Sequence, residues 1–550
     1  MDRFEVVKRT GTHADVLAAV GAADVLQTLN PQLTDAGNSY DVRFRDASID
    51  DLDDGPGFKY LKVDARASEE DPEDRSEAAD KKKQKKPKSA PPVIPEGWAF
   101  DYSPQNDKYK RQQAAKKTRD KDIAEGMAED APDPQFRAYR IVKALQGDSG
   151  PNKLIEEFLK RTADEWRKLV WAGFQGESGF PCDAPLVQLF NPQSAKGYAL
   201  LKPTGTDRND KTKEKWAEPF IEWLRYRGFF AGCAGWFLGS KGEHVRLYCP
   251  IPGDISFEIY KGVAAEFRTQ SLSGSAPKMD CLGTLRLTRI LVERSEPLAR
   301  PARRIRGLWV THYQSLGQAK AVTSIDQLAV PDWFKMANAE IWLETLNEHD
   351  TILRRLDDAI SDELMLLKKY RRFLQQQEES ALPEFVGFLS AYGQHIFRLR
   401  GQGKWLLPQF SAQRVEAILE GNQSYKDIIG NPGFQAIANA LRSATVSAQA
   451  VKKNHGDYRE IQYGILPELR RKLSLGSDEF MRAVSEFLAG YNAESARRNE
   501  MGKSGSRVSE GEFAAFVELM DAAKADVVGS LLCAMATCKL GKEEKEEVVA

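Results

Sequence analysis

Arg300, Arg303, Arg304 and Arg306 place four guanidiniums within one short stretch, the densest arginine group in the chain. A guanidinium is a rigid fork of N–H donors that can grip two phosphate oxygens at once. The chemistry these residues point to is therefore capture of a sugar-phosphate backbone. Lys153 follows Gly150, Pro151 and Asn152 at the start of a helical pattern, where backbone donors and an ammonium would meet a phosphate together. The stretch YALLKPTGTDRN, Tyr198 to Asn209, combines Lys202 and Arg208 with Thr204, Thr206 and Asn209. Such a loop would follow a backbone, and Asn209 would sense base edges. Gln314 and Gln318 flank Gly317 and are the candidates for a loop that reads bases or wedges strands apart. Nearer the end, Lys452, Lys453, Arg471 and Lys472 lie near successive helix ends, a stripe suited to single-stranded nucleic acid. Each of these segments also fits an ordinary solvated surface.

Catalytic side chains do not gather in this way. His13, His244, His312, His349, His395 and His455 are isolated, and neither His-x-x-x-His nor Cys-x-x-Cys occurs. Cys533 and Cys538 are five apart on a helical pattern, which turns them toward different faces. His349 and Asp350 are neighbours in a helix and diverge, so they read as a solvated or capping pair. Gly-x-Ser-x-Gly is absent, and GSKGE at Gly239 to Glu243 lacks the glycine spacing and the Lys-Ser or Lys-Thr pair of a phosphate loop. The expectation is a chain without catalytic residues, metal or cofactor.

The balance of 79 Lys and Arg against 80 Asp and Glu, net charge -1, excludes a wholly electrostatic DNA binder but not a local footprint. Residues 81–120 hold 12 bases against four acids, while acids cluster in Asp46 to Asp54, Glu69 to Asp74 and Glu543 to Glu547. No apolar run is long enough to cross a bilayer. The six cysteines are mostly widely spaced, as expected of buried thiols in a reducing compartment, so the cytoplasm is the expected location.

The elements that must position these residues change character along the chain, and the pattern predicts an α+β protein. A small folded segment, 1–67, precedes a charged linker or loop, 68–96. A mixed α+β region over 97–338 would bind nucleic acid, and a helical bundle follows over 339–540. Helices are expected over His13 to Leu29, Pro151 to Trp171, Trp216 to Phe229 and Asp254 to Phe267. Strands are expected over Tyr40 to Arg45, His244 to Cys249, Leu282 to Val292 and Arg306 to Tyr313. In the bundle, Ala339 to Gln376 reads as helix with a break near Asp357. Leu382 to Phe397, Ser411 to Leu419, Pro432 to Arg442, Ile465 to Lys472, Asp478 to Arg498 and Glu510 to Leu532 complete it.

Three phrases then carry a family likeness: KWAEPFIEWLRYRGFFAG (Lys215 to Gly232), RLYCPIPGDISFEIY (Arg246 to Tyr260) and DYREIQYGILPELRRKL (Asp457 to Leu473). With the order of parts, they make the chain resemble the large subunit of type I CRISPR surveillance complexes (Cascade), in the branch related to the I-A, I-B and myxobacterial-type systems. The resemblance implies a non-catalytic subunit of a complex with CRISPR guide RNA, a repeated backbone subunit and a guide-end subunit. Such a subunit recognises the motif adjacent to the target in double-stranded DNA, helps open the duplex and recruits the helicase-nuclease. The last part, about 443–540, resembles the small subunit that lines the displaced single strand. In some systems that subunit is also made from an internal start. No Met lies between Met365 and Met481 here, so such a product would need an alternative start codon, for which Val446 or Val451 would be plausible. Two other readings stay open. One is a metal-dependent nuclease or nucleotidyltransferase of a defence system, using Asp254 and Asp280. The other is a helical scaffold that binds only protein.

Overall fold

The computed structural model describes residues 2–53, 55, 57, 60–61, 99–100, 104, 106–111, 134–146, 158–177, 180, 219–238, 244–294, 301–316, 319–331, 339–376, 378–404, 407–447, 462, 464–502 and 505–540. The linker expected over 68–96 lies outside them. The chain forms two units, 1–271 with 303–327 and 272–302 with 328–550. The architecture is α+β, with the sheets in the first unit and helices throughout the second.

The first unit contains β1 (Arg3–Val7), α1 (His13–Val25), β2 (Gln32–Asp35), β3 (Ser39–Arg43), a two-residue parallel pair β4 (Tyr60–Leu61) and β5 (Ala99–Phe100), α2 (Pro134–Gln146), α3 (Ala163–Phe174) and α4 (Pro219–Gly232). It continues through β6 (Ala234–Leu238), β7 (His244–Pro252), β8 (Asp254–Ser256), α5 (Phe257–Thr269), β9 (Ile305–Leu316) and β10 (Ala319–Ala329). One sheet has the order β1-β3-β2-β8 and the other β10-β9-β7-β6.

Every residue of α1 is buried. Its small side chains let α4 approach so closely that a Cβ on Gly21 would lie 1.8 Å from the Leu224 carbonyl oxygen, and one on Gly228 1.9 Å from that of Leu17. An all-round buried helix has no polar stripe, so composition rather than periodicity marks it. Beside it Trp166 packs edge to face on Phe180 and on Trp223, the two tryptophan rings 5.4 Å apart, and Phe180 does so on Phe220.

Three expectations change in the first unit and at its edge. The helix expected over Pro151 to Trp171 is interrupted. Lys160 and Arg161 form a turn, and Thr162 with Glu165 makes a capping box that starts α3 afresh. The helix expected from Asp254 begins only at Phe257, because Asp254–Ser256 pairs with Gln32–Thr34 as an edge strand. Leu282 to Val292, expected as a strand, belongs to the second unit as part of α6 (Ala276–Glu293). Its β-branched residues mislead: the hydroxyls of Thr284 and Thr288 donate to the carbonyls of Asp280 and Thr284 at 2.9 and 2.8 Å, inside the helix.

The second unit continues with α7 (Ala339–Arg355), α8 (Ser361–Gln375), α9 (Glu378–Gly401), α10 (Ala412–Leu419), α11 (Gln423–Ile429), α12 (Pro432–Arg442), α13 (Ile465–Leu473), α14 (Ser477–Glu500), α15 (Glu510–Ala522) and α16 (Ala525–Met535). The helix expected over Glu510 to Leu532 is two, bent at extended Ala523 without a glycine or proline to announce it. Phe373 stacks on Phe385 at 4.9 Å and Phe388 on Tyr392 at 5.8 Å. Segment 443–540 shares its core with earlier helices: α15 and α16 pack on α12, α16 also packs on α9, and buried Arg442 donates to the Met535 carbonyl at 3.0 Å.

Candidate nucleic-acid interface

The arginine group enters β9 at a place the local sequence makes irregular. Pro250 and Pro252 remove two ladder donors from β7. Ile251 pairs with Gly307 and Pro252 with Ile305, which leaves Arg306 as the extra residue of a β-bulge. Ile305 is fully buried while Arg303 and Arg306 are exposed and Arg304 is partly exposed, so the buried isoleucine fixes the arginines outward.

Gly253 joins this segment to the rest of the sheet. Its N–H donates to the Arg304 carbonyl at 2.8 Å and its carbonyl accepts from the Asp35 N–H at 2.7 Å. A Cβ there would lie 2.2 Å from the Arg303 carbonyl oxygen, so no side chain fits. The stitching brings the end of β2 under the arginines. Arg306 Nη1 lies 3.0 Å from Asp35 Oδ2, and Lys8 Nζ lies 2.5 Å from Asp35 Oδ1 and 4.3 Å from the centre of the Tyr40 ring. Burial, with the Asp35 charge second, raises the Tyr40 hydroxyl well above the usual tyrosine value and keeps it neutral. Lys8 and Arg306 thus meet at Asp35, beside the exposed Arg303 and partly exposed Arg304. Half of the Arg306 side chain is exposed (53%), whereas the Asp35 carboxylate it meets is 5% exposed and is also held by Lys8.

Lys8 and Asp35 belong to this cluster and were not singled out by residue type. The signal that leads to them is the Asp35-Ala36-Gly37-Asn38 turn, where Gly37 has φ +87° and donates to Asp35 Oδ1 at 2.9 Å.

The other candidates are placed as follows. Gln314 is a ladder residue of β9 in register with His244, not part of a loop, because the strand runs on to Leu316. Arg471 and Lys472 form the last turn of α13, as expected. Each is already engaged: Arg471 lies 3.9 Å from Glu468, and Lys472 2.7 Å from Glu479, which Arg482 also meets at 3.1 Å. Lys153, Lys202, Thr204, Thr206, Arg208, Asn209, Arg300, Gln318, Lys452 and Lys453 lie outside the described residues.

The acidic residues of the nuclease reading are committed elsewhere. Asp254 accepts from Gln32 at 2.7 Å and Thr34 at 3.3 Å. Asp280 is fully buried and paired with Arg371 at 2.5 Å. His349 is not solvated, as its position beside Asp350 suggested. It is buried with Nδ1 2.7 Å from the Tyr370 hydroxyl, while Asp350 meets Arg286 at 2.8 Å and Arg354 at 2.9 Å. Among the described residues no three His, Cys, Asp or Glu side chains group as metal ligands, and no helix is long and apolar enough to cross a membrane. No family model and no curated protein matches the chain.

Proposed function

We propose that the chain is a non-catalytic, nucleic-acid-binding large subunit of a CRISPR RNA-guided surveillance complex, working in the cytoplasm. On this reading it engages target duplex beside the guide-paired region, helps separate the strands and presents a face to the helicase-nuclease. The helical unit lies along the displaced strand. The observation that carries the proposal is the bulged arginine segment at Gly253, where Arg303, Arg304 and Arg306 follow one another and Arg306 and Lys8 meet at Asp35. Phosphate contacts there would supply salt-sensitive capture, and pairing with the guide would supply sequence.

Purification of the assembly from its host tests the class. Guide RNA and a repeated backbone subunit should accompany the chain, and a stable assembly without RNA would remove the proposal. Within the assembly, Arg303→Ala with Arg304→Ala should lower the slope of log affinity against log salt by about 2, since each lost phosphate contact removes roughly 0.9. An unchanged slope would place the phosphate contacts elsewhere.

A further inference from the structure

In the second unit, α8 turns three cations outward with no acid against them. Leu366, Leu367, Tyr370, Phe373 and Leu374 are buried and seat the helix on α6 and α9. At about 100° per residue, the opposite side carries Met365, Lys368, Lys369 and Arg372 within one arc. Met365 is 50% exposed, Lys368 and Arg372 are exposed, and Lys369 is partly exposed. Among the described residues no acid lies within ion-pair distance of these three cations. Other exposed arginines of the unit do hold acids: Arg354 meets Asp350 at 2.9 Å and Arg482 meets Glu479 at 3.1 Å.

The acids that precede the three cations are spent on the fold. Asp357 Oδ1 accepts from the Ala359 N–H at 3.0 Å, and Asp358 accepts from the Ser275 N–H. Asp362 pairs with Arg398, and Glu363 takes the Asp357 N–H and faces His395. On a solvated helix an acid three or four residues from a lysine relieves its charge. Around Lys368 and Lys369 those positions hold Leu364, Met365, Leu366, Arg371, Arg372 and Phe373. Arg372 is instead a like charge at that spacing from both lysines, which weakens the helix. The helix dipole favours Arg372 in the last turn, but its field fades before the lysines. The arrangement does not serve folding, and a polyanion completes it.

We propose that this face of α8 is a contact for nucleic acid, with Lys368, Lys369 and Arg372 on phosphates of one strand and Met365 against sugar or base. The proposal rests on the reading that the chain binds nucleic acid. It moves the second unit's share of that contact to α8 from Arg471 and Lys472, which already meet acids. An acidic protein fits less well, because protein interfaces centre on a buried aromatic or apolar anchor, and both aromatic rings of α8 point inward. A lipid surface fits less well too. An interfacial helix buries a continuous apolar face, and Met365 is the one large apolar side chain that α8 exposes.

Fluorescence anisotropy of the full chain tests it, with a short labelled duplex and a short labelled single strand of arbitrary sequence over a range of salt. Lys368→Gln, Lys369→Gln and Arg372→Gln together should lower the slope of log affinity against log salt by about 2 on a single strand or about 3 on a duplex. The arm that shows the loss names the form bound. Lys426→Gln, Arg482→Gln and Lys524→Gln remove the same charge from three exposed sites on separate parts of the unit and should leave the slope unchanged. Lys368→Arg, Lys369→Arg and Arg372→Lys should also keep it. Neither glutamine triple should lower the melting temperature, since all six side chains lie at the surface. A slope that survives the α8 triple, or falls equally in the control triple, would overturn the proposal. So would loss of binding to phosphatidylserine vesicles with DNA binding intact. If Arg303→Ala with Arg304→Ala lowers the slope and the α8 triple does not, this inference alone fails; a chain that binds neither DNA removes both.

Discussion

The two units bury charge in different ways. In the first, ionised groups run through the centre of the fold. Arg227 is 1% exposed and holds Asp24 at 2.7 Å and Asp53 at 2.5 Å. Arg225 pairs with Glu222, donates to the Ala14 carbonyl at 3.2 Å and lies 4.0 Å from Asp15. In the second, the centre is largely stacked aromatic rings, with one fully buried acid, Asp280, paired with Arg371 at 2.5 Å, and two others that take backbone donors. Glu363 accepts from the Asp357 N–H at 2.5 Å and faces His395 at 3.0 Å, while Glu348 takes the Ser411 N–H at 3.2 Å. The lesson is one of tolerance. Rings can slide and repack, but a carboxylate that loses its guanidinium has nowhere to go.

The α1–α4 crossing offers the hardest way to break that contrast. Gly228→Ala would drive a methyl to within 1.9 Å of the Leu17 carbonyl oxygen, backbone that cannot rotate away. A loss of at least about 4 kcal/mol is expected, read as a collapse of the denaturant midpoint. Gly387→Ala in α9, where nothing lies within 4 Å of the new methyl, should leave the midpoint unchanged or higher. Equal losses from the two would mean that the close approach at Gly228 is not what makes it intolerant.

Arg227→Met comes next, at about 3 kcal/mol, because it strands Asp24 in the interior. Pairing it with Asp24→Asn should recover part of the loss. The matching change in the second unit, Arg398→Met, opens a pair whose members are 53% and 56% exposed and should not move the melting temperature.

Acid should separate the units. His13 and His349 are each pushed down to about 3, first by burial and then by Arg225 and Arg414 respectively. A group bound more weakly by protons when folded leaves stability intact above its unfolded value, near 6.5, and withdraws it as pH falls toward 3. By pH 5 each histidine costs about 2 kcal/mol. Glu222 has the opposite sign. Burial lifts it to about 7, against 4.5 for the ordinary carboxyl, although Arg225 pulls the other way. The folded protein holds that proton more tightly, so the stability it contributes is full below 4.5 and falls away as pH rises through 7. Going from pH 7 to 5 therefore returns about 2 kcal/mol to the first unit and offsets His13. Hydrogen exchange should show α7 and α8 loosening between pH 7 and 5 while α1 and α4 hold. Glu222→Gln should make the first unit loosen as well; if it does not, the cancellation is wrong.

The same contrast decides what could be read in advance. Amphipathic helices of the bundle, such as α12 and α13, show an apolar stripe, and their bounds fall where the pattern puts them. The break between α7 and α8 over 356–360 follows from the Asp357-Asp358 polar run. In α6 the buried residues include Thr284, Thr288, Ile290 and Val292 among the leucines, so local composition pointed to a strand, and only neighbours distant in sequence select the helix. At the interface, Arg303, Arg304 and Arg306 were legible as residue types, and two prolines in β7 hinted at an irregular strand. That Asp35 and Lys8 would lie beneath them was not legible, because Gly253 brings them together across more than 200 residues of chain. Gln314 looked like a loop residue beside Gly317, yet the strand continues past it.

The smallest expected effect is also the cleanest test of how loosely the bundle surface is built. Gly490 lies inside α14 and is exposed, with no atom within 4 Å of where a Cβ would stand. Glycine inside a helix costs conformational entropy that alanine does not, so Gly490→Ala should stabilise the isolated chain by about 0.5–1 kcal/mol. Gly228→Ala makes the same chemical change and should act in the opposite direction, because there the absent side chain is what lets two backbones meet. Urea unfolding of both variants under one buffer checks the pair. A loss of stability in Gly490→Ala would mean that this face of α14 is covered in the free protein. Gly490 would then resemble Gly433, where a Cβ would lie 2.1 Å from the Glu512 carbonyl oxygen in the same unit.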